Sequence, residues 1–222
     1  MKFEEIKVTY PETKHGSVEE DYHGTKIKDP FRWLEDDNSE ETMDWVNRQN
    51  DVTNSYLENI PYRADIKERL KKLWDYEKYS SPFKEGDTYY YFKNDGLQNQ
   101  YVLYGSEDIK AEGEVVLDPN KFSEDGTSSL GGMSFDKSGT YLAYLVSEGG
   151  SDWRTAYVKN VKTGELLKER LEWIKFSGIS WKGDGFYYSR FPEPEEGDEL
   201  SGSNSLHSLY YHKLGDDQAN DQ

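Results

Sequence analysis

No cysteine occurs in the 222 residues, so neither a disulfide framework nor a thiolate metal site is available. Long apolar runs are missing too. Nothing approaches the ~18 consecutive apolar residues that a membrane span requires. Met1–Tyr10 has no apolar stretch of the kind a secretory signal carries. These absences lead to the expectation of a cytoplasmic protein with no membrane partner. Positive charge is scarce: 27 Lys and Arg stand against 44 Asp and Glu, a formal net charge of -17. Phosphates need a basic footprint, so no nucleic-acid partner is expected.

Catalytic signatures are also lacking. The sequence has no Gly-x-Ser-x-Gly elbow, no glycine-rich phosphate loop and no calcium-loop spacing. Gly149-Gly150-Ser151-Asp152-Trp153 comes nearest to the elbow but lacks its last glycine. His23, in Asp21-Tyr22-His23-Gly24, reads as structural or exposed rather than as a triad histidine. His207 and His212 lie on strand-like sequence, face opposite sides and cannot share a metal. The residues alone therefore supply no complete catalytic set, no metal site and no cofactor site.

What the chain does have is aromatic β sequence. Aromatics make up 15% of it and Tyr alone counts 18, which favours β structure over disorder. One phrase recurs three times: Phe83 to Tyr89, Phe135 to Tyr141 and Trp181 to Tyr187, with glycine-containing turn chemistry between. The phrases start 52 and 46 residues apart. Each is followed by a second strand-like stretch, Tyr101–Tyr104, Thr155–Val158 and Leu209–Tyr211. A repeat of about 40–50 residues built from strands and turns is the signature of propeller blades.

The rest of the chain reads in order. Residues 1–37 lack sustained periodicity and suggest an extended arm, anchored by Phe31, Trp33 and Leu34. Asn38 or Ser39 caps a helix carrying Met43, Val46 and Leu57, with Glu40 and Glu41 in its first turn. Pro61 opens a second helix over 62–74, with Ile66, Leu70, Leu73 and Trp74 as its stripe. From Ser80 onward the apolar period changes from 3.6 to 2. Asn94-Asp95-Gly96 signals a hairpin loop. Residues 192–204 read as an acidic Pro/Gly/Ser loop.

Several motifs then occur together in a fixed order. Asp21-Tyr22-His23-Gly24 and Asp29-Pro30-Phe31-Arg32-Trp33-Leu34-Glu35 are followed by Asp75-Tyr76-Glu77-Lys78-Tyr79-Ser80. After them come Gly96-Leu97-Gln98-Asn99-Gln100, Leu117-Asp118-Pro119-Asn120, Gly150-Ser151-Asp152-Trp153 and Lys175-Phe176-Ser177. Over nearly its whole length the chain resembles the N-terminal part of the prolyl oligopeptidase family, serine peptidases that cleave short peptides after proline.

The resemblance implies a mainly β fold with an N-terminal α-helical segment. Residues 1–79 would be the arm and helices that wrap an α/β-hydrolase domain absent from this chain. Residues 80–222 would be a partial β-propeller, about three blades of seven, gating access of short proline-containing peptides. The catalytic Ser, Asp and His of the family follow the propeller, so no catalytic residue is expected here and the isolated chain should be inactive. The resemblance implies no metal or organic cofactor. It carries over two substrate-binding positions. Phe176 matches an aromatic lining a subsite upstream of the proline pocket, and Asp152 matches an acid that holds a substrate-binding arginine of the hydrolase domain. The alternative is a non-catalytic, propeller-type binding module.

Overall fold

The computed structural model describes residues 8–195, 197–199 and 202–222. It divides into two compact units, Met1–Leu73 and Trp74–Gln222.

The first unit begins with a hairpin that the sequence reading missed. Strands β1 (Val18–Tyr22) and β2 (Thr25–Asp29) pair antiparallel, with Tyr22 opposite Thr25. His23 and Gly24 form the two-residue turn, both at positive φ (55 and 87), as hairpin twist demands. His23 is thus a turn residue. Ser39 then caps helix α1 (Glu40–Glu58), its Oγ accepting from the Thr42 N–H at 3.2 Å, with Glu40 and Glu41 against the helix dipole. The arm is tied down through indoles. Trp33 Nε1 donates to the Lys14 carbonyl at 3.0 Å, and Trp45 Nε1 to Thr13 Oγ1 at 2.9 Å. Helix α2 (Arg63–Trp74) buries none of its residues, and its stripe of Ile66, Leu70, Leu73 and Trp74 is exposed.

The second unit is antiparallel β throughout. Its first sheet contains β3 (Lys78–Tyr79), β4 (Phe83–Glu85), β5 (Thr88–Asn94), β6 (Val102–Ser106) and β7 (Glu114–Leu117), in the order β3-β5-β6-β7 with β4 also on β5. Next come β8 (Ser129–Phe135), β9 (Tyr141–Ser147), β10 (Arg154–Asn160) and β11 (Leu166–Ile174), paired β8–β9, β9–β10 and β10–β11. The meander β12 (Ser180–Lys182), β13 (Gly185–Arg190) and β14 (Ser208–Lys213) follows, joined to β11 by the pair Ile174–Arg190. These successive meanders are a partial β-propeller, so the molecule is mainly β with two helices.

Strand β9 sits between two cores. Leu142, Tyr144 and Val146 pack with Tyr90, Leu103 and Leu117 of the first sheet. Ala143 and Leu145 pack with Leu171, Phe186 and Tyr188 on the other side. A strand covered on both faces needs apolar residues at every position, which is why Tyr141–Val146 reads as a continuous run. Leu142, fully buried, fixes the first of these cores. Leu142→Ala is expected to cost about 2–5 kcal/mol of unfolding free energy. Chemical denaturation checks this, and a loss no larger than that of an exposed-site control would contradict the two-core packing.

The recurring phrase becomes the hairpins β4–β5, β8–β9 and β12–β13, with Gly86, Gly139 and Gly183 at φ 58, 67 and 62 in their turns. A further likeness lies upstream. Ser80 Oγ accepts from the Phe92 N–H at 2.9 Å, and Ser177 Oγ from the Ser189 N–H at 2.8 Å. In each case a serine before the first strand occupies a ladder N–H of the second, letting the inner strand break without orphaning a donor.

Candidate functional site

Register decides where the loops meet. Ser147 pairs with Arg154, Arg154 with Ile174, Ile174 with Arg190, and Arg190 with Ser208. These residues form one row, so the segments 148–153 and 175–179, and the chain that follows Arg190 and precedes Ser208, all leave the sheet at the same end. Both substrate-site residues expected from the sequence, Asp152 and Phe176, lie in these segments.

The loop end is built on aromatic contacts. Trp153 meets Trp173 edge-on at 5.7 Å and Phe191 edge-on at 5.9 Å between ring centroids. Phe191 in turn stacks on His207 at 4.4 Å. The Trp153 indole N–H donates to the Glu199 carbonyl at 2.5 Å, holding the third segment to the first. Beside these rings lies a cleft of about 290 Å³ lined by Val146, Glu148, Trp153, Arg154, Trp173 and Glu199. Lys175 places its ammonium 4.7 Å from the Trp153 ring and 5.6 Å from the Phe176 ring.

Phe176 itself is 70% exposed. At that exposure the ring is not part of the blade core. Its backbone is at φ 55, and Trp173 and Leu206 are also at positive φ, 61 and 63. Of the four non-glycine residues with positive φ among the described residues, the fourth being His23, three belong to this end of the sheet or its loops. Such strain is retained where the surroundings over-determine it, often at ligand sites. Asp152 is exposed, one residue before Trp153.

Sequence reading named Phe176 and Asp152 but missed Trp173, Phe191, His207 and Lys175. The acidic loop expected over 192–204 contains residues 196, 200 and 201, which lie outside the described residues. His207 and His212, set aside as a metal pair, have separate roles. His207 stacks on Phe191, whereas His212 is buried with Nδ1 2.7 Å from Asp221 Oδ1. Tyr188 donates to the other oxygen of Asp221 at 2.5 Å, and burial followed by this bond raises the Tyr188 hydroxyl pKa. Among the described residues no group of three or more His, Asp or Glu is placed to hold a metal ion. No described helix is long and apolar enough to cross a membrane.

Exposed aromatic surface of this kind can bind a peptide side chain. Comparison with known proteins follows the same line. The family model for the prolyl oligopeptidase N-terminal β-propeller domain matches residues 10–222. The prolyl endopeptidase of Elizabethkingia meningoseptica is 51% identical over 214 residues, which cover 96% of this chain and 30% of that protein. Prolyl oligopeptidase ophP of Omphalotus olearius is 36% identical, with 96% of this chain and 31% of that protein covered. Among solved structures, prolyl oligopeptidase B of Galerina marginata, a mutant bound to a 35mer hydrolysis and macrocyclization substrate, superposes with a TM-score of 0.83. It is 30% identical over 96% of this chain and 33% of its own. The chain thus spans about a third of the length of these relatives.

Proposed function

The chain belongs to the prolyl oligopeptidase family, in its N-terminal β-propeller part, and from that premise we propose that it is the substrate-admitting portion of a proline-specific serine endopeptidase acting on short peptides. In this reading residues 80–222 are the propeller that gates entry, and residues 1–79 pack on an α/β-hydrolase domain that carries the catalytic Ser, Asp and His. The exposed stripe Ile66, Leu70, Leu73 and Trp74 suits that packing, because such apolar surface gains by being covered. Asp152 fixes an arginine of the hydrolase domain through a carboxylate–guanidinium pair, and that arginine holds a substrate carbonyl.

The observation that carries the site assignment is Phe176. Its ring is exposed on strained backbone at the sheet end where the Asp152 loop also emerges. An apolar face there offers a peptide side chain contact area without demanding a hydrogen bond. The test joins this chain to the remainder of the Elizabethkingia meningoseptica enzyme and compares Phe176→Ala with the parent. Peptides long enough to reach the ring should lose about 1–3 kcal/mol in kcat/KM, and minimal peptides little. Equal losses for both lengths would place Phe176 outside the substrate path.

A further inference from the structure

Lys175 stands out among the lysines that sit over rings. Lys78, 4.7 Å from the Tyr76 ring, donates to the carbonyls of Trp74 and Gly96 at 2.8 and 2.7 Å. Lys93, 5.3 Å from the Tyr79 ring, is paired with Glu77 at 2.7 Å. Lys84, over Tyr89, is exposed. Lys175 is half-buried, and among the described residues no carboxylate pairs with it and no acceptor receives its protons. Among the described residues its ammonium has only the faces of Trp153 and Phe176 beside it. Ring faces attract a cation but leave its N–H donors free for a true acceptor. In a chain with 44 acidic and 27 basic residues, a half-buried lysine without a carboxylate is an unspent charge.

Resting on the reading of Phe176 as an upstream subsite, we infer that Lys175 makes that subsite selective for peptides with an Asp or Glu side chain at the position that reaches Phe176. The side chain's methylenes lie on the exposed ring, and its carboxylate accepts from the ammonium beside it. The interaction is charge-assisted and partly shielded by two rings, which strengthens it relative to a freely exposed pair. The opposing charges are Glu148, Glu172 and Glu199 along the adjoining cleft, which also holds Arg154, and the exposed Asp152 beside Trp153; Glu172 is already tied to Arg170. If those carboxylates govern the subsite instead, it will favour a cationic side chain.

The test uses the chain joined to the remainder of the Elizabethkingia meningoseptica enzyme, inactivated at its serine nucleophile, and three acetylated, amidated peptides that differ only in Glu, Gln or Lys at the second residue before a proline. Binding is followed by calorimetry. The Glu peptide should bind about fivefold more tightly than the Gln peptide, with the Lys peptide weakest, and added salt should shrink the difference. Lys175→Met should abolish the preference between the Glu and Gln peptides, and Lys175→Arg should retain it. Equal affinity of the Glu and Gln peptides, or preference for the Lys peptide, overturns the role of Lys175 and leaves the subsite reading standing. Binding of all three peptides that is unchanged by Phe176→Ala overturns the subsite reading itself, and this inference with it.

Discussion

Incubated alone with a proline-containing reporter peptide, the 222-residue chain is expected to release no product above the uncatalysed rate. Peptide hydrolysis by a serine peptidase needs a hydroxyl within reach of a histidine, an orienting acid and an oxyanion hole. The four histidines are committed elsewhere. His15 lies edge-on to Phe31, His23 makes a hairpin turn and His207 stacks on Phe191. His212 has the acid partner of a triad, Asp221, but it is fully buried and its Nε2 faces no partner among the described residues. The expected deficit against a complete peptidase is therefore about 10⁶-fold or more. Turnover that survives repeated purification and is blocked by a serine-directed inhibitor would overturn this.

The second large effect concerns how consecutive blades meet. The turns of β4–β5 and β8–β9 touch backbone to backbone. A Cβ on Gly139 would stand 2.9 Å from the Gly86 nitrogen and 3.0 Å from the carbonyl of Glu85, and one on Gly86 would stand 2.7 Å from the Ser138 carbonyl oxygen. Main-chain atoms cannot rotate aside as a flexible side chain would. Gly139 is also at φ +67, where an added Cβ costs about 1–2 kcal/mol by itself. Gly139→Ala is expected to lose about 2–4 kcal/mol in all. Gly164 provides the control, since it lies at φ +78 with nothing within 4 Å of its would-be Cβ. Gly164→Ala should lose only the conformational part, about 1–2 kcal/mol. Urea unfolding of the two variants gives the comparison. Equal losses would mean that the two turns do not press on each other.

The parts of the fold legible in the sequence are those where local chemistry and tertiary demand agree. The Ser39 cap, the acidic first turn of α1 and the glycine turns of three hairpins all act over a few residues, so they show in a single chain. Strand β9 was legible because burial on both faces forces an unbroken apolar run. The β1–β2 hairpin was not, because VEEDY and TKIKD are mostly exposed and carry no alternating apolar face. The length of β11 was obscured by LKERLE, whose charges suit a helix surface. There Glu169 is buried at 3% exposure, with the Gly215 N–H donating to its carboxylate at 2.7 Å. That partner lies 46 residues away, and no local pattern announces it.

The candidate site divides along the same line. Family motifs pointed to Phe176 and Asp152. Whether Phe176 faces water or blade core depends on a positive φ, which leaves no mark in residue type for a phenylalanine. The meeting of Trp153, Trp173, Phe191 and His207 depends on the register through Ile174 and Arg190. Lys175 entered only as a member of the Lys175-Phe176-Ser177 motif, because its lack of a carboxylate partner is a property of three dimensions.

The most direct test replaces the matching segment of the Elizabethkingia meningoseptica prolyl endopeptidase, 51% identical to this chain, with the chain itself. Hydrolysis is then measured on a reporter peptide and on the same peptide with alanine in place of proline. If the chain is the substrate-admitting propeller part of such an enzyme, the chimera should cleave after proline and leave the alanine peptide largely intact. A soluble chimera that unfolds cooperatively yet cleaves neither peptide, or cleaves both alike, would contradict the account.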